Sequence, residues 1–246
     1  MTLPSFRLAA LVAALCLFGH AQAGIVFSGI DANPSNFATV PNTLSGAAET
    51  LFKANLVGVG TENFETRLGT APLVVGFGAA GNATLDGGGS VRTAPNGGRY
   101  SVPGGTRFWE TNANAGGSFN IVFTQDIAAF GFYGSDLGDF GGTLTLEFVD
   151  DLNNIIATQN VATAPTAAAN ASLLYFGFIA SAGQEFRRVN FVLADAVAGS
   201  QDVFGFDSFT IGTRQQVQLV PEPATLALAG LALGGLAMVR RRKTLA

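Results

Sequence analysis

Between residues 118 and 211, apolar and polar side chains alternate in short runs broken by Gly, Asn, Asp and Ser. Thr143 to Val149 sets Leu144, Leu146 and Phe148 against Thr145 and Glu147, the period of two that marks a half-buried β-strand. Ser118 to Thr124 repeats the pattern with Phe119, Ile121 and Phe123, and Ala129 to Tyr133 puts Phe130 and Phe132 opposite Tyr133. Leu173 to Ile179, Arg188 to Leu193 and Val203 to Ile211 continue the set. Short strands at such close intervals predict a mainly β chain, a single β-sandwich or jelly-roll-like domain of seven or more strands. One short helix is expected early, over Ser45 to Ala54. Ser45 is its N-cap, and Ala48, Leu51 and Phe52 make one apolar stripe that packs on the sheet.

Gly76-Phe77-Gly78-Ala79-Ala80-Gly81 follows the apolar Leu73-Val74-Val75 and satisfies the glycine spacing of a dinucleotide-binding turn. The context fails, because Asn82 to Gly89, with its Asp and three Gly, cannot form the phosphate-binding helix that must come next. A strand followed by a Gly-rich turn is the better reading.

Both ends of the chain are apolar for a different reason. At the N-terminus Arg7 precedes an apolar stretch from Leu8 to Gly19, and Ala21-Gln22-Ala23 is a small-x-small cleavage site. Residues 1–23 are therefore expected to be a signal peptide, with the mature protein starting at Gly24. Cys16 follows Leu15, where lipidation would require a small residue.

At the C-terminus, Pro221-Glu222-Pro223 precedes an apolar run from Ala224 to Val239 and a basic stop of Arg240, Arg241, Arg242 and Lys243. The run is 16 residues long. As a helix it measures about 24 Å, short of a ~30 Å hydrocarbon core, a gap closed by snorkelling of the flanking cations and thinning of the bilayer. Four cations at its end place that end in the cytoplasm and the preceding domain outside. Gly230 and Gly234 supply a Gly-x-x-x-Gly step for close helix contact. The prolines keep Val220 to Glu222 extended, the conformation in which proteases bind substrate.

The order of these parts resembles the PEP-CTERM sorting signal of Gram-negative bacteria, which is processed by exosortase-type membrane proteases. The resemblance covers about the last tenth of the chain. The bland alternative is an ordinary single-span anchor whose prolines stop a helix. The resemblance implies an exosortase-type partner, a membrane-held precursor, and delivery to the cell surface or an exopolysaccharide matrix.

With both ends removed, the composition excludes several chemistries. The only His, His20, and the only Cys, Cys16, belong to the signal, so residues 24–220 contain neither. A His-based triad, a thiol nucleophile, a disulfide and a His/Cys zinc site are all excluded. Sixteen acids against eight bases give the domain a net charge of −8, which argues against nucleic acid as a partner.

What chemistry remains is carried by oxygen and aromatic groups. Asp136 and Asp139 lie three apart in the Gly-rich stretch Gly134 to Gly142, which suits either calcium ligation or a hairpin turn whose aspartates cap their own backbone. Asp207 sits within Phe204-Gly205-Phe206-Asp207-Ser208-Phe209, where an inward orientation requires a partner such as Arg187 or a metal. No cofactor is expected beyond structural calcium.

Phe130 to Phe148, Phe176-Gly177-Phe178 and Asp207-Ser208-Phe209 look similar to the sandwich domains of PEP-CTERM proteins, which in turn resemble carbohydrate-binding jelly rolls. Such modules stack Trp and Tyr on sugar rings, and here Trp109 beside Arg107, with Tyr100 and Arg99, is the candidate platform. A lone Trp between strands also suits a core. Glu62, Glu65 and Glu110 are carboxylates of the type a glycosidase needs, but nothing in their spacing selects a pair.

The expected organisation is a signal peptide (1–23), a β domain (24–214), a polar linker (215–219) and the sorting signal (220–243) with its membrane helix (224–239). The expected function is a non-enzymatic surface or matrix protein. A sugar-binding module and a carboxylate-based glycoside hydrolase are the alternatives.

Overall fold

The computed structural model describes residues 24–33, 40–93, 97–102, 104–112, 119–137, 143–163, 171–194 and 203–218. Among them the chain forms β1 (Ile25–Asp31), α1 (Leu44–Lys53), β2 (Gly60–Glu62), β3 (Leu73–Gly76), β4 (Asn82–Asp86), β5 (Ser90–Thr93) and β6 (Arg107–Asn112). There follow β7 (Phe119–Ile127), β8 (Ala129–Ser135), β9 (Thr143–Val149), β10 (Ile155–Thr163), β11 (Leu173–Ile179), β12 (Phe186–Ala194) and β13 (Val203–Gly212). All strand pairs are antiparallel and build two sheets, a β-sandwich with one helix. The first runs β1-β11-β8-β13-β6-β5 with β2 added to β13, and the second runs β10-β9-β12-β7-β4-β3.

The period-two runs are the strands of the sandwich core. Leu144, Leu146 and Phe148 of β9 are fully buried, whereas Glu147 on the opposite face is partly open and meets Asn190. Phe130 lies near the centre, its ring centroid 5.7–6.4 Å from those of Phe123, Phe132, Phe148, Phe191 and Phe209. Tilted and edge-to-face phenylalanine pairs of this kind add to the burial of their area. Gly76 to Gly81 is the end of β3, a single turn of 3₁₀ helix at Gly78–Ala80 and the return into β4. The glycines therefore serve a hairpin.

In β13 the register slips between Asp207 and Thr210, and Ser208 takes a positive φ of 51°. This β-bulge turns both Phe206 and Phe209 into the core. Asp207, next to Phe206 in the regular part of the strand, faces the other side of the sheet.

That outer face carries α1. Its buried residues are Ser45, Ala48 and Phe52, whereas Leu51, expected in the buried stripe, is 60% exposed. Gly131 of β8 and Gly177 of β11 pair in register beneath the helix. A Cβ on either would come within 2.9 Å of the Phe52 ring, so two facing glycines form its seat. The cap also differs from expectation. Thr43 is the N-cap residue, and the first amides are satisfied by Asp31 of β1, which accepts Leu44 N–H at 2.8 Å and Ser45 N–H at 2.9 Å.

Candidate functional site

The residues nominated as a ligand platform belong to the packing of the outer face. Arg99 to Val102 crosses the first sheet, and the Ser135 hydroxyl accepts Tyr100 N–H at 3.1 Å and donates to Tyr100 O at 3.0 Å. The Tyr100 hydroxyl donates to Ala171 O at 2.9 Å, and burial pushes its pKa up to about 12. Tyr100 is buried, with no open ring face for a sugar.

Trp109 lies inside β6 rather than between strands and is 0% exposed. Its indole stacks on Phe64 at 6.1 Å and lies against Gly89, where a Cβ would come within 2.5 Å of it. A stacking role requires an exposed ring, and this one is enclosed. Among the described residues its Nε1–H has no hydrogen-bond partner. Arg107 donates to the backbone oxygens of Arg67 and Glu65, at 2.8 and 3.1 Å.

The acids are similarly engaged. Glu65 accepts Thr106 N–H, Arg107 N–H and the Thr106 hydroxyl, and these bonds hold it below the usual carboxylate range although desolvation opposes them. Glu62 accepts Phe64 N–H and pairs with Arg67, and Glu110 lies between Arg92 and Arg99. Each carboxylate has a structural partner of its own.

Asp136, at a positive φ of 67°, accepts Ala171 N–H at 2.8 Å. Asp207 is buried and accepts Val102 N–H at 2.8 Å and Ser208 N–H at 2.5 Å. Burial lifts its pKa to about 7 despite those bonds. Its partners are the Val102 and Ser208 amides and the Ser208 hydroxyl, while Arg187, the cation considered for it, pairs with Asp126. Asp139, the third candidate metal ligand, lies outside the described residues. Among the described residues no three His, Cys, Asp or Glu side chains are grouped to hold a metal ion.

The most distinctive construction is the neck that precedes the C-terminal tail. Thr213 and Gln216 form a Thr-x-x-Gln capping box around a 3₁₀ turn, Arg214–Gln216. Arg214 pairs with Glu185 at 2.7 Å and donates to Ala180 O at 2.8 Å and Ser181 O at 2.7 Å. The Gln216 side chain donates to Gly58 O. Val217 bridges Leu56, Val57 N–H donates to Gln216 O, and Gln218 N–H donates to Asn55 O, both at 2.8 Å. The segment expected to be a polar linker is folded against the domain as far as Gln218. The capping-box spacing at Thr213 and Gln216 was the available sign.

Of the targeting residues only Gly24 is described. It lies against β11, where a Cβ would run into the Phe178 ring. Ala21, Ala23, Pro221, Glu222, Pro223 and the basic stop Arg240 to Lys243 lie outside the described residues. Among the described residues no helix is long and apolar enough to cross a membrane. The run Ala224 to Val239 is not among them.

No curated protein matches the chain in sequence. Among solved structures it is similar to the K2 cleaved adhesin domain of Lys-gingipain, at 13% identity and a TM-score of 0.38, over 63% of this chain and 98% of that one. It is similar to the CBM22-1 xylan-binding domain of Paenibacillus barcinonensis Xyn10C, at 14% identity and a TM-score of 0.37, over 67% of this chain and 99% of that one. TmCBM61, solved with β-1,4-galactotriose, gives 13% identity and a TM-score of 0.28, over 62% of this chain and 95% of that one.

Residues 219–243 match the PEP-CTERM protein-sorting motif, which follows Gln218 of the neck directly in sequence. The motif implies an exported precursor held in the membrane for exosortase processing. The chain therefore carries a PEP-CTERM protein-sorting motif at its C-terminal end.

Proposed function

We propose that the β-sandwich is non-catalytic cargo, released from its membrane tail by an exosortase-type protease and then associated with exopolysaccharide at the cell surface. The observation that carries the reading is the direct joining of a folded neck to the sorting motif at residue 219. A non-enzymatic role is supported by the carboxylates Glu62, Glu65, Glu110 and Asp207, each bonded to backbone or to arginine rather than facing another across a cleft. It is supported too by the absence of His and Cys from residues 24–220. A sugar-binding module built on Trp109 and Tyr100 has lost its platform to burial.

The test is the intact mass of the protein from a host with an exosortase, alongside a Pro221→Ala/Glu222→Ala variant. Cleavage near the motif in the parent, and an uncleaved membrane-held variant, support the reading. Equal release of both shows the tail to be an ordinary anchor. Fractionation of the released domain with extracellular polysaccharide tests the destination, and a domain wholly free in the medium overturns that part.

A further inference from the structure

The neck fixes where the domain can sit relative to the membrane, and the surface found there is apolar. Running from Gln216 to Gln218, the chain passes Val57 and then Asn55, whose side chain donates to Leu51 O at 2.8 Å. Gln218 thus lies beside the C-terminal turn of α1. From Gln218 to Ala224, where the apolar run begins, there are six steps of chain, which span at most about 20 Å when fully extended.

Beside this exit Leu51 is 60% exposed and Val57 55% exposed. Leu44, also 60% exposed, lies seven residues before Leu51 and so within about 20° of it around the helix. The exposed stripe flanks the buried face of Ala48 and Phe52, so α1 is apolar over a wider arc than the sheet covers. Lys53 in the last turn pairs with Glu49 and is partly open to solvent. An exposed apolar stripe of this kind is what a helix lying in a lipid interface presents to the acyl boundary.

We infer that, while the precursor is anchored, the domain rests on the bilayer through Leu51 and Val57, with Leu44 extending the contact along α1. The occupant is the headgroup and acyl boundary of the membrane that holds the chain's own tail. This rests on the reading of residues 219–243 as a membrane-held sorting segment. The argument is one of tether length. A neck without slack leaves the helix end within about 20 Å of the hydrocarbon edge, where exposed leucine and valine side chains gain by entering the interface. After cleavage the tether is gone and the same contact, two or three side chains, is too small to hold the domain, so release follows cutting.

The mature sequence has no cysteine, so an environment-sensitive fluorophore can be placed uniquely at Leu51→Cys or Val57→Cys, with Leu152→Cys as a control far along the chain and 75% exposed. The tailed chain is reconstituted in phosphatidylethanolamine and phosphatidylglycerol vesicles carrying a nitroxide quencher at the headgroup boundary, and anchoring is checked by flotation. Labels at 51 and 57 are expected to emit to the blue and to be quenched roughly two-fold or more over the label at 152. Inserting a twelve-residue Gly/Ser spacer after Gln218 should abolish the difference. Flotation with equal quenching at all three sites overturns the inference and leaves the anchoring intact. Failure to float overturns both. Shielding that survives in detergent and rises with protein concentration assigns the surface to a second copy and overturns the inference too.

Discussion

The carboxylate of Asp31 accepts the Ser45 hydroxyl at 2.6 Å, so the last residue of β1 caps the helix that lies across the sheet β1 belongs to. Oδ1 accepts Leu44 N–H and Oδ2 accepts Ser45 N–H, which satisfies the first two amides of α1 from outside the helix. Desolvation raises the pKa of Asp31, but these bonds outweigh it and hold the group below its ordinary value. Asp31→Ala should cost about 0.5–2 kcal/mol, as loss of a cap does. For a depressed carboxylate the contribution is present above the unfolded pKa and is lost as pH falls through the lower folded one. Asp31→Asn should therefore narrow the stability gap between neutral and acid solution. Denaturant melts of the two proteins across that range measure it, and an unchanged gap means that the pair contributes nothing.

Asp207 runs in the opposite sense. Its pKa is raised to about 7, chiefly by burial, so the folded protein holds a proton there more tightly than the unfolded chain. The folded state binds more protons between the ordinary carboxylate range and about 7, so stability falls as pH rises through that window. Asp207→Asn should flatten that decline while keeping an oxygen for Val102 N–H. The variant also places an amide donor opposite Ser208 N–H, so its stability in acid should drop. A parallel decline in both proteins would assign the slope to another group.

Phe52 fits over Gly131 and Gly177, and only the absence of a side chain leaves it room. A Cβ at Gly177 would stand 2.7 Å from Phe52 Cδ2 and 2.9 Å from Cγ. Gly177→Ala should destabilise the domain by about 1–3 kcal/mol through overpacking. Combining it with Phe52→Leu should recover part of that loss, since a smaller side chain clears the contact. If the double variant is worse than the sum of the singles, the two positions do not compete for one space.

Trp109 is the only tryptophan in the chain, so intrinsic fluorescence reports on that site alone. With 0% exposure and Phe64 stacked on it, the indole should emit as a buried ring and resist acrylamide. Titration with a panel of oligosaccharides should leave the emission unchanged. A spectral shift on adding sugar would return Trp109 to the role of a ligand platform.

The sandwich was legible from the sequence where a strand has one face in the core. β9 falls on the residues its alternation picks out, Thr143–Val149, whereas β11, buried on both faces, falls on the continuous apolar run Leu173–Ile179. β1, β5 and β10 were not legible, because they are edge strands: Ile25, Val26, Ile30 and Ile155 stay exposed beside polar neighbours, and the burial that produces alternation is missing. β6 was hidden for the opposite reason. Phe108 and Trp109 are adjacent and both fully buried, because loop and helix cover the outer face of its sheet as the second sheet covers the inner. The same covering decided Asp207. The sequence posed a choice between core and solvent, whereas the outer face on which Asp207 lies is covered by the Tyr100–Val102 segment, a contact 105 residues away in sequence. The exposure of Leu51 was equally out of reach, since periodicity gives the apolar arc of a helix but not how much of it a sheet will cover.

The neck yields the last prediction. Arg214 ties the 3₁₀ turn to the β11–β12 connection through Glu185, Ala180 O and Ser181 O, and the turn in turn presents Gln216 to Gly58 and Gln218 to Asn55. Arg214→Ala removes three charge-assisted bonds and should cost about 1–3 kcal/mol, concentrated in residues 213–218 because the strands on either side keep their own pairing. Hydrogen exchange is the direct readout. The amides of Val57 and Gln218, which bond across the neck, should lose protection, while those of β8 and β11 should hardly change. Loosening also lengthens the tether between the domain and the sorting motif by the residues of the turn. The variant should then present the Pro221-Glu222-Pro223 segment more freely, and its precursor should disappear faster in an exosortase host than the parent's. If exchange at Val57 and Gln218 rises and processing is unaltered, the rigid neck sets the position of the domain without limiting the protease.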